Sequence, residues 1–435
     1  FNHKSAVFSI KTCYDNSMRI YFVGIGGTGM APMAHLALDA GCEVVGSDQQ
    51  TNHNTEHLKE RGVNISTDQS GDFLSYLHAQ KPIDWVIYTS ALPADHPELT
   101  RAQALGLATA KRDQFIPWFI KKHNFKLIAV AGAHGKTSTT TMLIWLFRQL
   151  GVPASYLVGS TLPFAEAGKF DPDSRYFIYE CDEYDCNFLH YQPDYALIPA
   201  VDYDHIDIYP TIDDYHQAFS QFFDQSAQII MWPKDIWSGY QPSDKFLLAQ
   251  NINPDLTLLG EYNRANAQLI VELAPLLHDE RFNIASVIEI LNSAPRAGRR
   301  FEALQHNLIS DYAHHPAEIK ATLELAHEYA LQHNLNQIIA VYEPHQNERQ
   351  VQFQADYPEA FAGADQIYWL PTFVARDHHD QVLSPAQLIT DLPQATVADF
   401  NDQLITDIKQ HLRQNDLVVL MSAGKLDSFV RHNLN

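Results

Sequence analysis

Lys136 and Thr137 are the two side chains of this 435-residue chain whose setting points most directly to chemistry. They close the run Val130-Ala131-Gly132-Ala133-His134-Gly135-Lys136-Thr137-Ser138. A glycine loop that ends in Lys-Thr turns backbone N–H groups toward an anion, adds an ammonium charge, and offers a hydroxyl to Mg²⁺. Gly132, His134, Gly135, Lys136, Thr137 and Ser138 are therefore candidate ligands of a nucleotide phosphate. The spacing departs from the usual motif, because Val130 stands where the first glycine belongs. An ordinary strand–turn–helix corner is the competing reading of the same residues.

A second glycine turn, Gly24-Ile25-Gly26-Gly27-Thr28-Gly29, has Asp48 about 20 positions on. Alone it predicts NAD, with Asp48 on a ribose. The physics asks only for a diphosphate held by glycines and a helix N-terminus, so any diphosphate nucleotide satisfies Gly26, Gly27, Gly29 and Asp48. Two acidic clusters follow, Glu180 to Asp185 and Asp202 to Asp207. Thr137 with Glu180 would suit Mg²⁺, which prefers a few oxygen ligands. A lone His205 is an unusual Mg²⁺ ligand and by itself reads as a hydrogen-bonded loop residue. The basic turn Pro295-Arg296-Ala297-Gly298-Arg299-Arg300 is either a surface feature or a means of reaching phosphates across a cleft. Polar clusters also close two later strands, Asp311 to Pro316 with His314, and Glu343 to Arg349.

The elements that must carry these residues alternate between short apolar runs and amphipathic stretches. Strands are expected at Arg19–Val23, Glu43–Val45, Trp85–Tyr88, Ala108–Ala110, Leu127–Ala131, Tyr176–Tyr179 and Tyr195–Ile198. Later strands are expected at Asn307–Ser310, Gln337–Tyr342, Gln366–Leu370 and Leu417–Met421. Helices are expected over Ala31–Ala40, Thr139–Leu150 (closed by Gly151) and Asn263–Leu277. The fold class is α/β in three domains: a Rossmann-like N-terminal domain, a central P-loop ATPase-like domain and a C-terminal Rossmann-like domain. The boundaries read as an extension over 1–17 ahead of Met18, then 18–124, 125–296 and 297–435.

A formal charge of -22 leaves no basic face for nucleic acid or an anionic membrane. Cys13, Cys42, Cys181 and Cys186 show no C-x-x-C spacing and read as reduced thiols. No apolar run approaches the roughly 18 residues of a membrane helix, and no signal peptide opens the chain. A cytoplasmic protein, monomeric or a weak homodimer, is expected.

Taken together, the ordered motifs resemble the Mur ligase family. They are Phe22 to Gly27 with Gly29-Met30, Gly46-Ser47-Asp48, Thr89-Ser90-Ala91 with Pro97-Glu98, Ala131 to Thr137, Glu180 and Asp182-Glu183, and Phe188-Leu189 with Gln192-Pro193. Asp204-His205, Asn263 with Asn266, Gly298 to Phe301, and Asp311-Tyr312 with His314-His315-Pro316 complete the set. The resemblance implies ATP-dependent amide formation between UDP-N-acetylmuramate and L-alanine through an acyl phosphate, with Mg²⁺. It implies a catalytic set of Lys136, His205, Arg299, Arg300, His314 and Arg349. Thr137, Glu180 and His205 would hold metal, Asn263 and Asn266 would face adenine, and Asp311 the ATP ribose. Gly26, Gly27, Gly29 and Asp48 would take the UDP moiety.

This chain departs from the family pattern at Ala200 (usually Asn), Tyr262 (usually His) and Gln346 (usually Arg), leaving Arg349 as the remaining arginine of that region. Phe219 stands where later ligases of the pathway carry a carbamylated lysine. A recycling ligase that attaches a tripeptide is the nearest alternative. An NAD-dependent oxidoreductase is a remote one.

Overall fold

The computed structural model describes residues 18–434 apart from 90, 91, 94, 206 and 375–382. The expected extension over 1–17, with Cys13, and the Ser90-Ala91 portion of the motif set lie outside the described residues.

Three sheets follow one another along the chain. The first is ordered Asn64–Ser66, Glu43–Ser47, Arg19–Val23, Trp85–Tyr88, Ala108–Lys111, with every neighbouring pair parallel. The second is ordered Phe246–Leu248, Gln228–Met231, Tyr195–Ile198, Lys126–Val130, Tyr176–Glu180, Ala154–Leu157, Gly168–Lys169, parallel except for the last pair. The third is ordered Glu302–Gln305, Leu308–Asp311, Leu417–Ser422, Ile338–Glu343, Gln366–Trp369, Ala395–Val397, parallel except for the first pair.

The central strands are mostly aliphatic and aromatic and are buried on both faces, as helices covering a parallel sheet require. Parallel strands put their C-terminal ends on one edge, and ligands of open α/β sheets bind where the strand order reverses. Arg19–Val23 and Lys126–Val130 occupy that position in their sheets, and each runs into a glycine turn.

The helix after the phosphate loop spans Lys136–Gln149, three residues earlier than its apolar period indicates. The Thr-Ser-Thr-Thr-Thr run has no apolar face, yet it is buried, and Thr141 Oγ1 donates to Thr137 O at 2.7 Å. The later helix covers Glu261–Leu273 and passes at Pro275 into a 3-10 turn, Ala274–Leu277. Helix Ala31–Asp39 packs tightly on the second sheet: a Cβ at Gly168 would lie 2.0 Å from Pro32 O. Among the described residues no helix is long and apolar enough to cross a membrane.

Candidate active site

The phosphate loop takes its shape from two left-handed glycines. Gly132 has φ 135°, and a Cβ there would lie 2.5 Å from Ala200 O; Gly135 has φ 79°, and its Cβ would lie 2.9 Å from Pro199 and 3.0 Å from Asn266. Ala200 supports the loop through its backbone, its O accepting from Ala133 N at 3.0 Å, so the side chain at that position is not what shapes the turn. Helix Lys136–Gln149 then begins with no side-chain cap, which leaves its first N–H groups for an anion.

Lys136 Nζ donates to Gly132 O at 2.6 Å and to the two oxygens of Glu183 at 2.7 and 3.0 Å. The ammonium expected to bridge phosphates is neutralised here by the chain itself. Burial works against its charge, but Glu183 and Asp182 hold its pKa above the usual lysine value. Burial also opposes ionisation of Glu183, and Lys136 and His205 nonetheless keep it below the usual carboxylate range. Burial, reinforced by Glu183, pushes the neighbouring Asp182 up.

The expected metal set divides in two. Thr137 Oγ1 donates to Glu180 Oε1 at 2.5 Å, and Glu180 Oε2 accepts from Gly159 N at 2.7 Å. His205 faces Glu183 instead, with Nε2 at 3.1 Å from Oε1, and ligand atoms of Asp182, Glu183 and His205 all lie within 4.8 Å of one another. His205 is held at φ 60° while its N–H donates to Asp204 Oδ1 at 2.7 Å. Carboxylate and hydroxyl oxygens around a phosphate loop are the donors Mg²⁺ selects. The fit is good on the Thr137–Glu180 side, and Glu183 supplies the oxygen beside His205.

A cavity of about 500 Å³ opens beside the loop, between Ser138 and Met142 on one wall and Tyr262, Asn263, Arg296 and Phe301 on the other. Its volume and mixed apolar and polar lining suit a nucleotide base. Asn263 Nδ2 donates to Leu259 O at 2.9 Å, whereas the buried Nδ2 of Asn266, against Gly135, has no hydrogen-bond partner among the described residues.

The third domain closes this site from above, and it separates residues that the motif pairs. Arg300 reaches the loop, with Nη2 3.4 Å from Thr137 Oγ1 and Nη1 3.8 Å from Glu318 Oε1. Arg299 has φ 55° and turns back into its own domain to donate to Ser422 O. Asp311 is buried, accepting from Phe301 N at 2.6 Å and Ala313 N at 2.8 Å, so its carboxylate fixes the basic turn rather than opening toward a ribose.

Arg349 Nη2 holds both oxygens of Asp204 at 2.8 and 2.9 Å, and its buried Nη1 has no hydrogen-bond partner among the described residues. Although burial opposes ionisation, Arg349 keeps Asp204 well below the usual carboxylate range. Gln346 has φ 61° and donates its backbone N–H to Phe373 O at 2.9 Å.

Sequence reasoning passed over Glu318. It is the third residue of helix Pro316–His333 and closes a capping box with His315. Its Oε2 accepts from His314 N and lies 3.1 Å from His314 Nδ1, and its Oε1 lies 3.4 Å from His134 Nδ1 in the phosphate loop. His134 also stands 3.6 Å from Asp202. Burial lowers the His134 pKa, but Glu318 and Asp202 prevail and raise it. The His-Pro-x-Glu spacing was the signal for the cap. Its reach into another domain has no signature in sequence.

In the first domain Asp48 Oδ2 accepts from Gly26 N at 2.8 Å, and Asn54 Nδ2 donates to Gly26 O at 2.9 Å. Gly27 is exposed at the tip of the turn, and helix Ala31–Asp39 starts without a side-chain cap.

Three parallel-sheet domains with a glycine turn on each of the first two, closed by arginines of the third, define a nucleotide-dependent synthetase. Family models agree: residues 19–124 match the Mur ligase family catalytic domain, 130–240 the Mur ligase middle domain, and 299–424 the Mur ligase glutamate ligase domain. The chain is 30% identical to a UDP-N-acetylmuramate–L-alanine ligase of Clostridium acetobutylicum over 95% of this chain and 96% of that protein. It is 31% identical to one of Limosilactobacillus reuteri over 94% and 96%. Among solved structures it is similar to the UDP-N-acetylmuramate-alanine ligase MurC of Thermotoga maritima, with TM-score 0.75, 22% identity and coverage of 96% and 98%. It is also similar to a murein peptide ligase of Psychrobacter arcticus, with TM-score 0.63, 22% identity and the same coverage. The chain belongs to the Mur ligase family.

Proposed function

We propose that this chain is an ATP-dependent ligase that joins L-alanine to the carboxylate of UDP-N-acetylmuramate, in the cytoplasm, on the route to peptidoglycan. The observation that carries the reading is Arg300 of the third domain lying 3.4 Å from Thr137 of the phosphate loop. This is the contact an enzyme needs when it assembles its phosphoryl-transfer site by domain closure. The names of the curated relatives support the alanine acceptor over the tripeptide. Family membership leaves the NAD reading of the first glycine turn without support.

A muramoyl carboxylate oxygen attacks the γ-phosphorus and ADP leaves. The alanine amine, as the free base, then attacks the carbonyl carbon of the acyl phosphate, and phosphate leaves as the nitrogen gives up a proton to it or to water. The loop N–H groups, Lys136 and Arg300 hold the transferred group, and His134 lines the same loop. The cavity beside Asn263 and Asn266 takes the base. Mg²⁺, held by Thr137 and Glu180 with His205 and Glu183 alongside, would neutralise developing phosphate charge. The unpartnered Nη1 of Arg349 is the donor left to meet the acceptor's carboxylate. Closure keeps water from the acyl phosphate.

An acceptor screen tests this reading. ADP formation with UDP-N-acetylmuramate should require L-alanine, with glycine and L-serine weaker. Turnover with L-Ala-D-Glu-diaminopimelate alone would transfer the protein to the recycling branch.

A further inference from the structure

We infer that His35, His57 and Glu166 form a binding site for a divalent ion of the Zn²⁺ class, at the seam between the first and middle domains. The site uses none of the residues assigned to the nucleotides and is independent of the function proposed above. His35 is buried on helix Ala31–Asp39, and His57 lies on helix His53–Glu60. Glu166 comes from the middle domain, in the connection between strands Ala154–Leu157 and Gly168–Lys169. The close approach of Gly168 to Pro32 brings that connection down on the first helix, one turn from His35. The rings of His35 and His57 have centroids 5.0 Å apart. One oxygen, Glu166 Oε2, lies 3.9 Å from His35 Nε2 and 3.6 Å from His57 Nδ1, and ligand atoms of all three residues fall within 4.8 Å of one another.

Both separations are too long for hydrogen bonds. They approach the edge of a tetrahedron, about 3.4 Å, around an ion with bonds of about 2.1 Å. Two imidazoles and one carboxylate with a fourth position open favour Zn²⁺ over Mg²⁺. A cavity of about 810 Å³, lined in part by His57, Arg61 and Glu166, adjoins the cluster and admits an ion with its water. Arg61 Nη1 donates to His35 Nδ1 at 2.8 Å, and its Nη2 donates to Asp39 Oδ1 at 2.6 Å. A guanidinium only donates, so His35 is neutral and carries its proton on Nε2. An arriving ion takes the Nε2 lone pair, the proton moves to Nδ1, and Arg61 keeps Asp39 alone. Arg61 is therefore the ion's competitor. With two ligands on one domain and the third on the other, a bound ion would fasten the first domain to the middle one.

The test uses the full chain, stripped with a chelator and kept in excess Mg²⁺, titrated with Zn²⁺ in calorimetry and with Co²⁺ in visible absorption. The wild type should take up one tight Zn²⁺ that Mg²⁺ does not displace, and its Co²⁺ form should show the intense bands of four-coordination. Zn²⁺ should also raise the Tm. Glu166→Gln and His57→Ala should each weaken uptake by at least ~10-fold, no less than losing a group that merely orients a ligand costs, and should remove the rise in Tm. The Glu166 side chain is 50% exposed, so its variant folds whatever the fate of one at the buried His35. Arg61→Met should bind Zn²⁺ more tightly than the wild type. No tight Zn²⁺ in the wild type, or uptake and spectrum unchanged in Glu166→Gln, would overturn the site. So would an affinity in Arg61→Met no better than the wild type's. An equal loss in His53→Ala would move the ion to the His53–His57 pair, whose rings stack with centroids 6.4 Å apart on one helix, and would overturn it as well.

Discussion

Each charged side chain at the loop is held by another. Lys136 and Glu183 form a buried pair whose members keep each other ionised, and His205 shares the same carboxylate. Lys136→Ala should lower kcat by at least ~100-fold, the scale of losing one charge-stabilising group. UDP binding to the first domain should persist, and full phosphate release in that variant would return the loop to a mere corner. Asp204→Asn leaves Arg349 buried beside a neutral amide. A loss of about 3 kcal/mol is expected from denaturant unfolding, since breaking a buried pair strands one charge. A stability within experimental error of wild type would show that Arg349 finds another anion.

At the scale of elements, the loop depends on conformations that only glycine adopts without strain. Gly135→Ala must hold a Cβ at φ 79° and 2.9 Å from Pro199, which costs roughly 1–2 kcal/mol. ATP affinity should fall in calorimetry while UDP affinity stays at the wild-type value; ATP binding at wild-type strength would mean that the turn is not the cradle. These loops, and the strands that feed them, were legible because a doubly covered strand is apolar at every position, as in Leu127 to Val130. Of the edge strands only Ala108–Lys111 was, read as Ala108–Ala110. Ala395–Val397 and Asn64–Ser66 are three residues long and partly exposed, and Glu302–Gln305 alternates in and out of solvent. Such segments carry too little period to separate from loops. Gln228–Met231 is buried and apolar, but four residues among aromatic neighbours give no boundary. Loop residues announce themselves by spacing, whereas Glu318 and Asp204 matter through partners more than 100 positions away in another domain, His134 and Arg349, which spacing does not encode.

At the scale of the whole molecule, the polar contacts that join the third domain to the middle one include Arg349 with Asp204 and Glu318 with His134. The second is sensitive to pH. The folded-state pKa of His134 is raised, so its pairing contributes fully below the ordinary imidazole value and fades as pH climbs through the raised one. Glu318 and Asp202 face it, with Asp204 and the His315 ring close by. The closed form should therefore loosen as pH rises above the ordinary imidazole range, seen as a growing radius of gyration in solution scattering. Glu318→Gln should flatten that dependence; an unchanged profile would locate the sensitivity elsewhere. The internal pair at Lys136 also has an outcome for selectivity. A chain of net charge -22 repels polyanions at long range, and its loop ammonium is already in the possession of a tethered carboxylate. A small inorganic oxyanion offers too few contacts to evict that occupant. A triphosphate with a base to anchor it offers many, so the loop can ignore the plentiful orthophosphate of a cell and still admit its nucleotide.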